Sequence, residues 1–292
     1  MIYSLKYNQE SKMLKLKDYR NLINLTPKAK NITVLTAQQK AGIVDKLLKT
    51  LQQKFSVEID FATDYQQKRN WLRAILNQLP PCDLGTEFFN LQDQLLSSET
   101  NEKNIIHSTD LTFNNQIALY QGDITMLAVD AIVNAGNSQL LGCFVPLHSC
   151  IDNIIISSAG FQVRNDLNVI MKKQGHEEPN GIAKITNAYN LPSKYIIHTV
   201  GPCIYENITE KHKQDLANCY RSSLNLAKEM DLKSIAFCCI STGEFMFPND
   251  IACKIAVDTV KSWLKANKYD IKVVFNVFKD IDRSYYERKL PR

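Results

Sequence analysis

Two thiols and one imidazole lie within eight residues of one another in the loop from Gly142 to Cys150. Cys143, His148 and Cys150 offer the soft sulfur and nitrogen ligands that suit Zn²⁺, and Pro146 stiffens the chain between them. A closed structural zinc site needs four protein ligands, and no fourth Cys or His is near in the sequence. Three ligands with an open position are typical of a catalytic zinc. The local residues leave a second interpretation open, in which these thiols are small, unliganded core residues.

Three other polar segments each follow an apolar run. Asp123 offers a carboxylate that could accept a hydrogen bond from an adenine amino group, although capping of a following helix is the simpler role. Asn134 and Asn137 carry donors and acceptors that suit ribose hydroxyls, or they form a turn. A third segment could wrap its amides around a diphosphate or be a plain strand-to-helix turn. It consists of Ser241, Thr242, Gly243, Glu244 and Phe245.

The elements that position these segments follow from the hydrophobic pattern. In the first hundred residues, apolar side chains recur at helical spacing over 43–51 and over 71–79, where Pro80-Pro81 must end the helix. A third helix is predicted to begin at Thr86 as N-cap, and the polar residues 97–110 read as a linker. We therefore expect residues 1–110 to form a helical extension with a linker, and residues 111–292 to form a second domain.

Beyond about residue 115, short apolar runs alternate with amphipathic stretches, which predicts a mostly parallel sheet covered by helices on both faces. The predicted strands are 117–120, 131–134, 195–200, 234–240 and 271–277, and the predicted helices are 149–174, 214–231 and 249–267. Ligands of such sheets bind beyond the carboxyl ends of the strands. The polar segments described above fall at those ends.

Composition excludes several classes of protein. The 292 residues are 45% hydrophobic and 22% charged, as in a soluble globular protein, and no apolar run reaches the roughly 18–20 residues of a membrane span. The net charge of +5 is mild, and the lysines are scattered among carboxylates, which argues against a nucleic-acid partner. The start, Met1–Lys6, has no apolar core of signal-peptide length, so we expect a cytoplasmic protein with eight reduced cysteines.

Four segments, in this order, resemble signatures of the macrodomain family, which binds ADP-ribose. They are Gly-Asp-Ile-Thr at 122–125, Val-Asp-Ala-Ile-Val-Asn-Ala-Gly-Asn at 129–137, Tyr-Ile-Ile-His-Thr-Val-Gly-Pro at 195–202 and Ile-Ser-Thr-Gly-Glu-Phe-Met-Phe-Pro at 240–248. Most macrodomain hydrolases carry a glycine-rich run where this chain has its Cys-His-Cys loop. That loop is similar to the zinc-dependent macrodomains of bacteria and fungi, which remove mono-ADP-ribose from modified proteins and carry a helical N-terminal extension.

The resemblance implies a three-layer α/β/α macrodomain with a mostly parallel central sheet, and it implies roles for individual residues. Asp123, with the backbone of Ile124, would read adenine, and the 241–245 loop would hold the diphosphate, with Phe245 on the proximal side of the ligand. Asn134 and Asn137 would orient the distal ribose at the bond to be cut. Asp152 would orient the attacking water or support the zinc ligands, which would be Cys143, His148 and Cys150.

Two positions depart from the family pattern as it is expected here. Gly136 stands where Ala is usual, which removes a methyl group and loosens the backbone. Ile156 stands where a His is expected, so helix packing or ribose contacts would differ and full activity comes into question.

Three functions compete on this basis. The first is a zinc-dependent hydrolase that removes mono-ADP-ribose from protein, with an ester to Asp or Glu as the expected linkage. The second is a reader that binds ADP-ribose without cutting it, and the third assigns the zinc a purely structural role. Beyond ADP-ribose and a mono-ADP-ribosylated protein, the resemblance points to a sirtuin-like transferase and a lipoylated carrier protein as partners.

Overall fold

The computed structural model describes residues 13–27 and 34–290. The first part of the chain holds helices and one very short strand: α1 (Leu16–Tyr19), α2 (Ala37–Phe55), α3 (Tyr65–Gln78), α4 (Thr86–Asn101) and β1 (Ile106–His107). No helix of these described ranges combines the length and the apolar content that crossing a membrane requires. The Met1–Lys6 segment, on which the argument against a secretion signal rests, lies outside them.

Helices α2, α3 and α4 form a small bundle with its own core, which we call the helical extension. The two predicted apolar stripes are confirmed, because both pack in this core. The buried residues of α2 are Ile43, Val44, Leu47, Leu48 and Leu51, and the stripe of α3 packs around the buried Leu72. Helix α3 ends at Gln78, before the two prolines. Two predictions at α4 were wrong. Gly85, with a φ of 90°, is the N-cap in place of Thr86, because glycine alone adopts that backbone at no cost. The helix also runs five residues into the expected linker, where Ser98 is fully buried.

The rest of the chain, residues 111–290, forms an α/β unit. Its strands are β2 (Ile117–Gln121), β3 (Leu127–Ala128), β4 (Ala131–Gly136), β5 (Ala183–Asn187), β6 (Tyr195–Val200), β7 (Ser234–Phe237) and β8 (Lys272–Val277). Its helices are α5 (Ile151–Ala159), α6 (Gln162–Gln174), α7 (Glu210–Glu229), α8 (Asn249–Asn267) and α9 (Asp280–Lys289). The main sheet has the order β2-β8-β7-β4-β6-β5, and every neighbouring pair is parallel except β5 with β6. Helices α5 and α6 cover one face, and α7, α8 and α9 cover the other.

Several predicted boundaries in the α/β unit need correction. The stretch 149–174 is two helices, because Gly160 at φ 116° ends α5. The predicted strand 234–240 ends at Phe237, and a 3₁₀ turn rather than an α-helix follows β2 at Ile124–Met126. Strand β5 was not predicted. It carries Lys184, which is fully buried against Glu178 at 2.8 Å and breaks the apolar run.

Helix α1, from the segment that the sequence left unassigned, packs on the α/β unit rather than on the helical extension. Leu16, Tyr19 and Ile23 join the core of the α/β unit, and the Tyr19 hydroxyl accepts a hydrogen bond from the Ile185 amide at 2.9 Å. The chain therefore begins on the α/β unit with α1, passes into the helical extension with α2–α4, and then returns to the α/β unit. The domain division at residue 110 stays a prediction.

Arg164 on α6 joins the helical extension to the α/β unit. The side chain is 1% exposed, and its guanidinium lies 4.4 Å from the Phe144 ring centre. It donates to five carbonyl oxygens at 2.7–3.3 Å. Three lie at the end of α3, and two lie just before and at the first residue of the loop with the three candidate metal ligands, residues 143–150, which we call the metal-ligand loop. The five residues are Leu76, Asn77, Leu79, Leu141 and Cys143. Each of these carbonyls loses a donor if the guanidinium is removed.

We expect Arg164→Leu to lower the free energy of unfolding by at least about 3 kcal/mol, because buried carbonyls would remain without partners. Urea denaturation measures this change. Arg288→Leu is the matched control, since Arg288 is exposed on α9, and its effect should stay within about 0.5 kcal/mol. Equal effects of the two substitutions would contradict the role assigned to Arg164.

Candidate functional site

Asn134 lies at the centre of a buried polar network at the carboxyl end of β4. Asn134 of β4 pairs with His198 of β6 in the parallel register of the two strands. Asp152, in the first turn of α5, also contacts Asn134. Asn134 Nδ2 donates to Asp152 Oδ1 at 2.7 Å and lies 3.2 Å from His198 Nδ1. Because the ionised Asp152 carboxylate can only accept, it fixes the amide orientation, and His198 Nδ1 then accepts from the same Nδ2 group. Asn134 Oδ1 is then buried with no hydrogen-bond partner among the described residues.

Burial sets the protonation of the two titratable groups in this network. His198 is fully buried, which lowers its pKa to about 3, so the ring is neutral near pH 7. Since its Nδ1 accepts from Asn134, Nε2 carries the proton and donates to Thr186 Oγ1 at 2.9 Å. Burial raises the pKa of Asp152 to about 6, while the Asn134 hydrogen bond and the Arg164 charge act in the opposite direction. Sequence reasoning missed His198, and an imidazole inside an otherwise apolar strand was the available signal.

The three predicted zinc ligands come together in the loop between β4 and α5. One ligand atom from each of Cys143, His148 and Cys150 lies within 4.8 Å of the other two, and Cys143 Sγ is 3.7 Å from His148 Nδ1. Ligands about 2.0–2.3 Å from a tetrahedral zinc lie at similar mutual distances. Two thiols and an imidazole are also the donor set that zinc prefers. The residues present therefore fit this metal.

The 241–245 loop lies next to the metal-ligand loop, with His148 Nε2 3.9 Å from Glu244 Oε1. Ser241 has a φ of 66°, which is uncommon for a residue other than glycine and is often found at functional sites. Its Oγ is buried and has no partner among the described residues. Within the described ranges, the amides of Gly243, Glu244 and Phe245 also donate no hydrogen bond. The loop thus presents several unpaired donors at the edge of the sheet.

Asp123 lies at the other end of the same edge. Its Oδ1 accepts from the Thr125 amide at 2.9 Å and from the Thr125 hydroxyl at 2.7 Å, so the capping role is present. Asp123 also lines a cleft of about 230 Å³ together with Ile154 of α5 and with three basic side chains, Arg69 and Arg73 of α3 and Lys103 just after α4. The extension therefore forms one wall of the cleft. Ile124, the next residue after Asp123, is buried at 1% exposure.

Phe278 is a further candidate that sequence reasoning missed. It directly follows β8, and its ring is 76% exposed. The neighbouring backbone is tied to the Asp123 loop, because the Gly122 amide donates to the Val277 carbonyl and Asn276 donates to the Gly122 carbonyl, both at 2.9 Å. An exposed aromatic ring that follows a strand tied to the Asp123 loop offers a stacking surface. Its place directly after the last apolar strand was the signal.

The structure places the remaining predicted residues less centrally. Asn137 shapes a turn, since its Oδ1 accepts from the Gln139 amide at 3.0 Å and its Nδ2 donates to the Gly142 carbonyl at 3.3 Å. Ile156 is 4% exposed and lines a small cavity against the helical extension with Leu72 and Phe161. An apolar side chain suits that position. The Ile156 departure therefore lies at the interface with the extension.

Two glycines at the site differ in the room around them. A Cβ on Gly201 would lie 2.0 Å from Ser241 Oγ and 2.8 Å from Ile240 Cγ2, so the 241–245 loop packs directly on its backbone. A Cβ on Gly136 would have its nearest neighbour, Leu140, at 3.6 Å. The alanine that is usual at position 136 would therefore fit without any shift.

Gly201→Ala should cost about 1–3 kcal/mol of unfolding free energy, because the added methyl displaces Ser241 and its loop. Gly136→Ala is the matched control and should change that free energy by no more than about 0.5 kcal/mol. Chemical denaturation of both variants and the parent provides the comparison. A Gly201→Ala protein as stable as the parent would show that the loop does not depend on this close approach.

Comparison with known proteins identifies relatives across most of the chain. The Macro domain family matches residues 133–256. A protein-ADP-ribose hydrolase of Treponema medium is 44% identical over 256 residues, which cover 86% of this chain and 97% of that protein. A protein-ADP-ribose hydrolase of Staphylococcus aureus (strain MRSA252) is 49% identical over 223 residues, which cover 75% and 84%. A Trypanosoma brucei macrodomain in complex with ADP-ribose is similar with a TM-score of 0.57 and 26% identity, over 75% of this chain and 95% of that one.

These relatives and the sheet described above confirm the expected fold, in which a mostly parallel sheet lies between two helical layers. The similarity to the Treponema medium protein extends beyond the α/β unit into the helical extension, because it covers 86% of the chain. The chain belongs to the macro domain family.

Proposed function

We propose that the chain is a hydrolase that releases mono-ADP-ribose from modified proteins, with a zinc ion beside the distal ribose. One observation carries the proposal: the Asn134–Asp152 pair and the Cys-His-Cys cluster meet where β4 passes into α5. Asp152 follows Cys150 by two residues in the first turn of that helix. A ribose held by Asn134 would therefore lie close to both. The names of the bacterial relatives support hydrolysis.

The ligand would lie along the carboxyl edge of the sheet. Adenine would bind at Asp123, which lines the cleft beside the helical extension, and at the Ile124 backbone, and it would stack on the exposed ring of Phe278. The unpaired amides and hydroxyl of the 241–245 loop would receive the diphosphate. The unpartnered Asn134 Oδ1 would accept from a hydroxyl of the distal ribose, and Asn137 would border that ribose.

Zinc held by Cys143, His148 and Cys150 supplies Lewis-acid polarisation in such a site. The chain itself holds Asp152 in place, because Asn134 Nδ2 donates a hydrogen bond to one of the two carboxylate oxygens. The other oxygen would orient the attacking water toward the ester. Water adds its oxygen and its protons across the ester bond, so that ADP-ribose regains a hydroxyl group and the protein side chain leaves as a carboxylic acid. His198 contributes no proton, since it is buried and neutral.

A second candidate is a reader module with a structural zinc. One feature favours it: Cys150 is the N-cap of α5, with its Sγ accepting from the Asn153 amide at 3.5 Å, so a metal there would also fasten the helix. Catalytic turnover separates the two candidates. We propose four further features together with the hydrolase. They are the ester linkage, the cytoplasmic location, and a sirtuin-like transferase and a lipoylated carrier protein as partners.

Release of ADP-ribose from a protein mono-ADP-ribosylated on acidic side chains should proceed with the zinc-loaded chain and stop when a strong chelator is present. Cys143→Ala should lower the rate by more than about 100-fold, because a metal ligand is lost. Cys82→Ala, at a thiol in the helical extension, is the control and should keep the parent rate. Full release by metal-free protein would refute the zinc mechanism, and absence of release with ADP-ribose binding intact would favour the reader.

Phe278→Ala should weaken ADP-ribose binding by about 10-fold, since stacking of one base on an aromatic ring contributes about 1–3 kcal/mol. Calorimetric titration with ADP-ribose measures the change. Ile281→Ala is a matched control, because Ile281 is a half-exposed apolar residue three positions along the chain. An unchanged affinity for Phe278→Ala would remove this ring from the adenine site.

A further inference from the structure

We propose that the helical extension is an integral part of the metal site. Side chains of α3 would hold the loop 143–150 in the conformation that brings the three ligands together. The inference rests on the proposed function, because it takes zinc as the group that this loop binds. It assigns positioning roles to Asn77 and Arg73, which lie about seventy residues before the loop in the sequence.

Asn77 is the first of these positioning residues. It is 3% exposed and lies one residue before the end of α3. Its Oδ1 accepts from the Leu147 amide at 3.1 Å, and its Nδ2 donates to Ser157 Oγ on α5 at 3.0 Å. Leu147 has a φ of 56°, a left-handed conformation that is costly for leucine. The bond from Asn77 therefore stabilises the turn that directly precedes the ligand His148.

Arg73, one helical turn earlier on α3, contacts the ligand residue itself. Its Nη2 donates to the His148 carbonyl at 2.9 Å and to Asn153 Oδ1 at 2.7 Å. Asn153 in turn donates to the Val145 carbonyl at 2.9 Å, and its amide donates to Cys150 Sγ. Arg73 is thus linked to a second ligand residue, Cys150, through hydrogen bonds to and from Asn153. The Val145 and His148 carbonyls of the loop are held by Asn153 of α5 and by Arg73 of α3.

The outer side of the loop offers little that could replace these bonds. Val145 and Leu147 are 54% and 43% exposed, so these two apolar side chains contribute little packing that would hold the loop in place. Arg164 binds the Cys143 carbonyl and also three carbonyls at the end of α3, so that loop and helix share one donor group. Partners behind metal ligands typically change metal affinity by 10–100-fold when they are removed. We expect that range for the α3 contacts.

Zinc affinity of the full chain, measured by competition with a chromophoric chelator, tests the proposal without relying on turnover. Asn77→Leu should raise the zinc dissociation constant by at least about 10-fold. The matched control is Gln92→Leu, since Gln92 on α4 is equally buried and binds Phe161 and Gln162 of the α/β unit but no part of the loop. Its dissociation constant should stay within about twofold of the parent.

Arg73→Met provides a second variant, at a partly exposed position, in case Asn77→Leu does not fold. It should also raise the zinc dissociation constant by about 10-fold. Substitution with Co²⁺ adds a spectroscopic readout, because its absorption bands should shift in both α3 variants and stay unchanged in Gln92→Leu. These bands report the ligand geometry directly.

The proposal is overturned if Asn77→Leu and Arg73→Met bind zinc as tightly as the parent, or if Gln92→Leu loses as much affinity as they do. Equal losses would mean that general destabilisation causes the effect. A parent protein that binds no zinc would overturn it too. A parent that binds zinc but releases no ADP-ribose would instead refute the hydrolase and leave the positioning roles standing.

Discussion

Burial of one guanidinium constrains the arrangement of the whole site. Removing the charge of Arg164 from water is tolerable only because five carbonyl oxygens surround it, and even so burial lowers its pKa to about 10. Those acceptors come from the end of α3 and from the chain that leads into the metal-ligand loop. Neither segment can move away without leaving a buried charge unpaired. The helical extension is therefore a fixed wall of the site.

The parallel sheet imposes the second constraint. Because β4 and β6 run side by side in register, an asparagine on one faces a histidine on the other, and α5 closes the network with Asp152. Buried polar groups of this kind stabilise a structure only when each finds a partner. Asn134 Oδ1 and Ser241 Oγ are exceptions at the same edge of the sheet. A hydroxyl- and phosphate-bearing ligand supplies what both of them lack.

Much of the fold could be predicted because its signals are local. Five of the main strands were found as apolar runs, and the stripes of α2 and α3 as helical periodicity. Strand β5 was missed because Lys184 lies in it, and a buried lysine is acceptable only when a carboxylate pairs with it, here that of Glu178, which lies outside the strand. The exposed ring of Phe278 gained meaning only when β8 set it beside the Asp123 loop. The errors at Gly85 and Gly160 concern local backbone conformation, whereas the role of Phe278 depends on a partner outside the local window.

The metal-ligand loop illustrates the same limit at the site itself. Its sequence supplied three candidate ligands, but spacing alone could not distinguish a zinc site from unliganded thiols. These three side chains come together because Leu147 adopts a left-handed backbone conformation, and because Asn77 binds the Leu147 amide and Arg73 binds the His148 carbonyl. Those partners lie seventy or more residues away and carry no mark of a metal site in the sequence. Chemistry is thus encoded locally here, whereas the geometry that permits it depends on an interface between two parts of the chain.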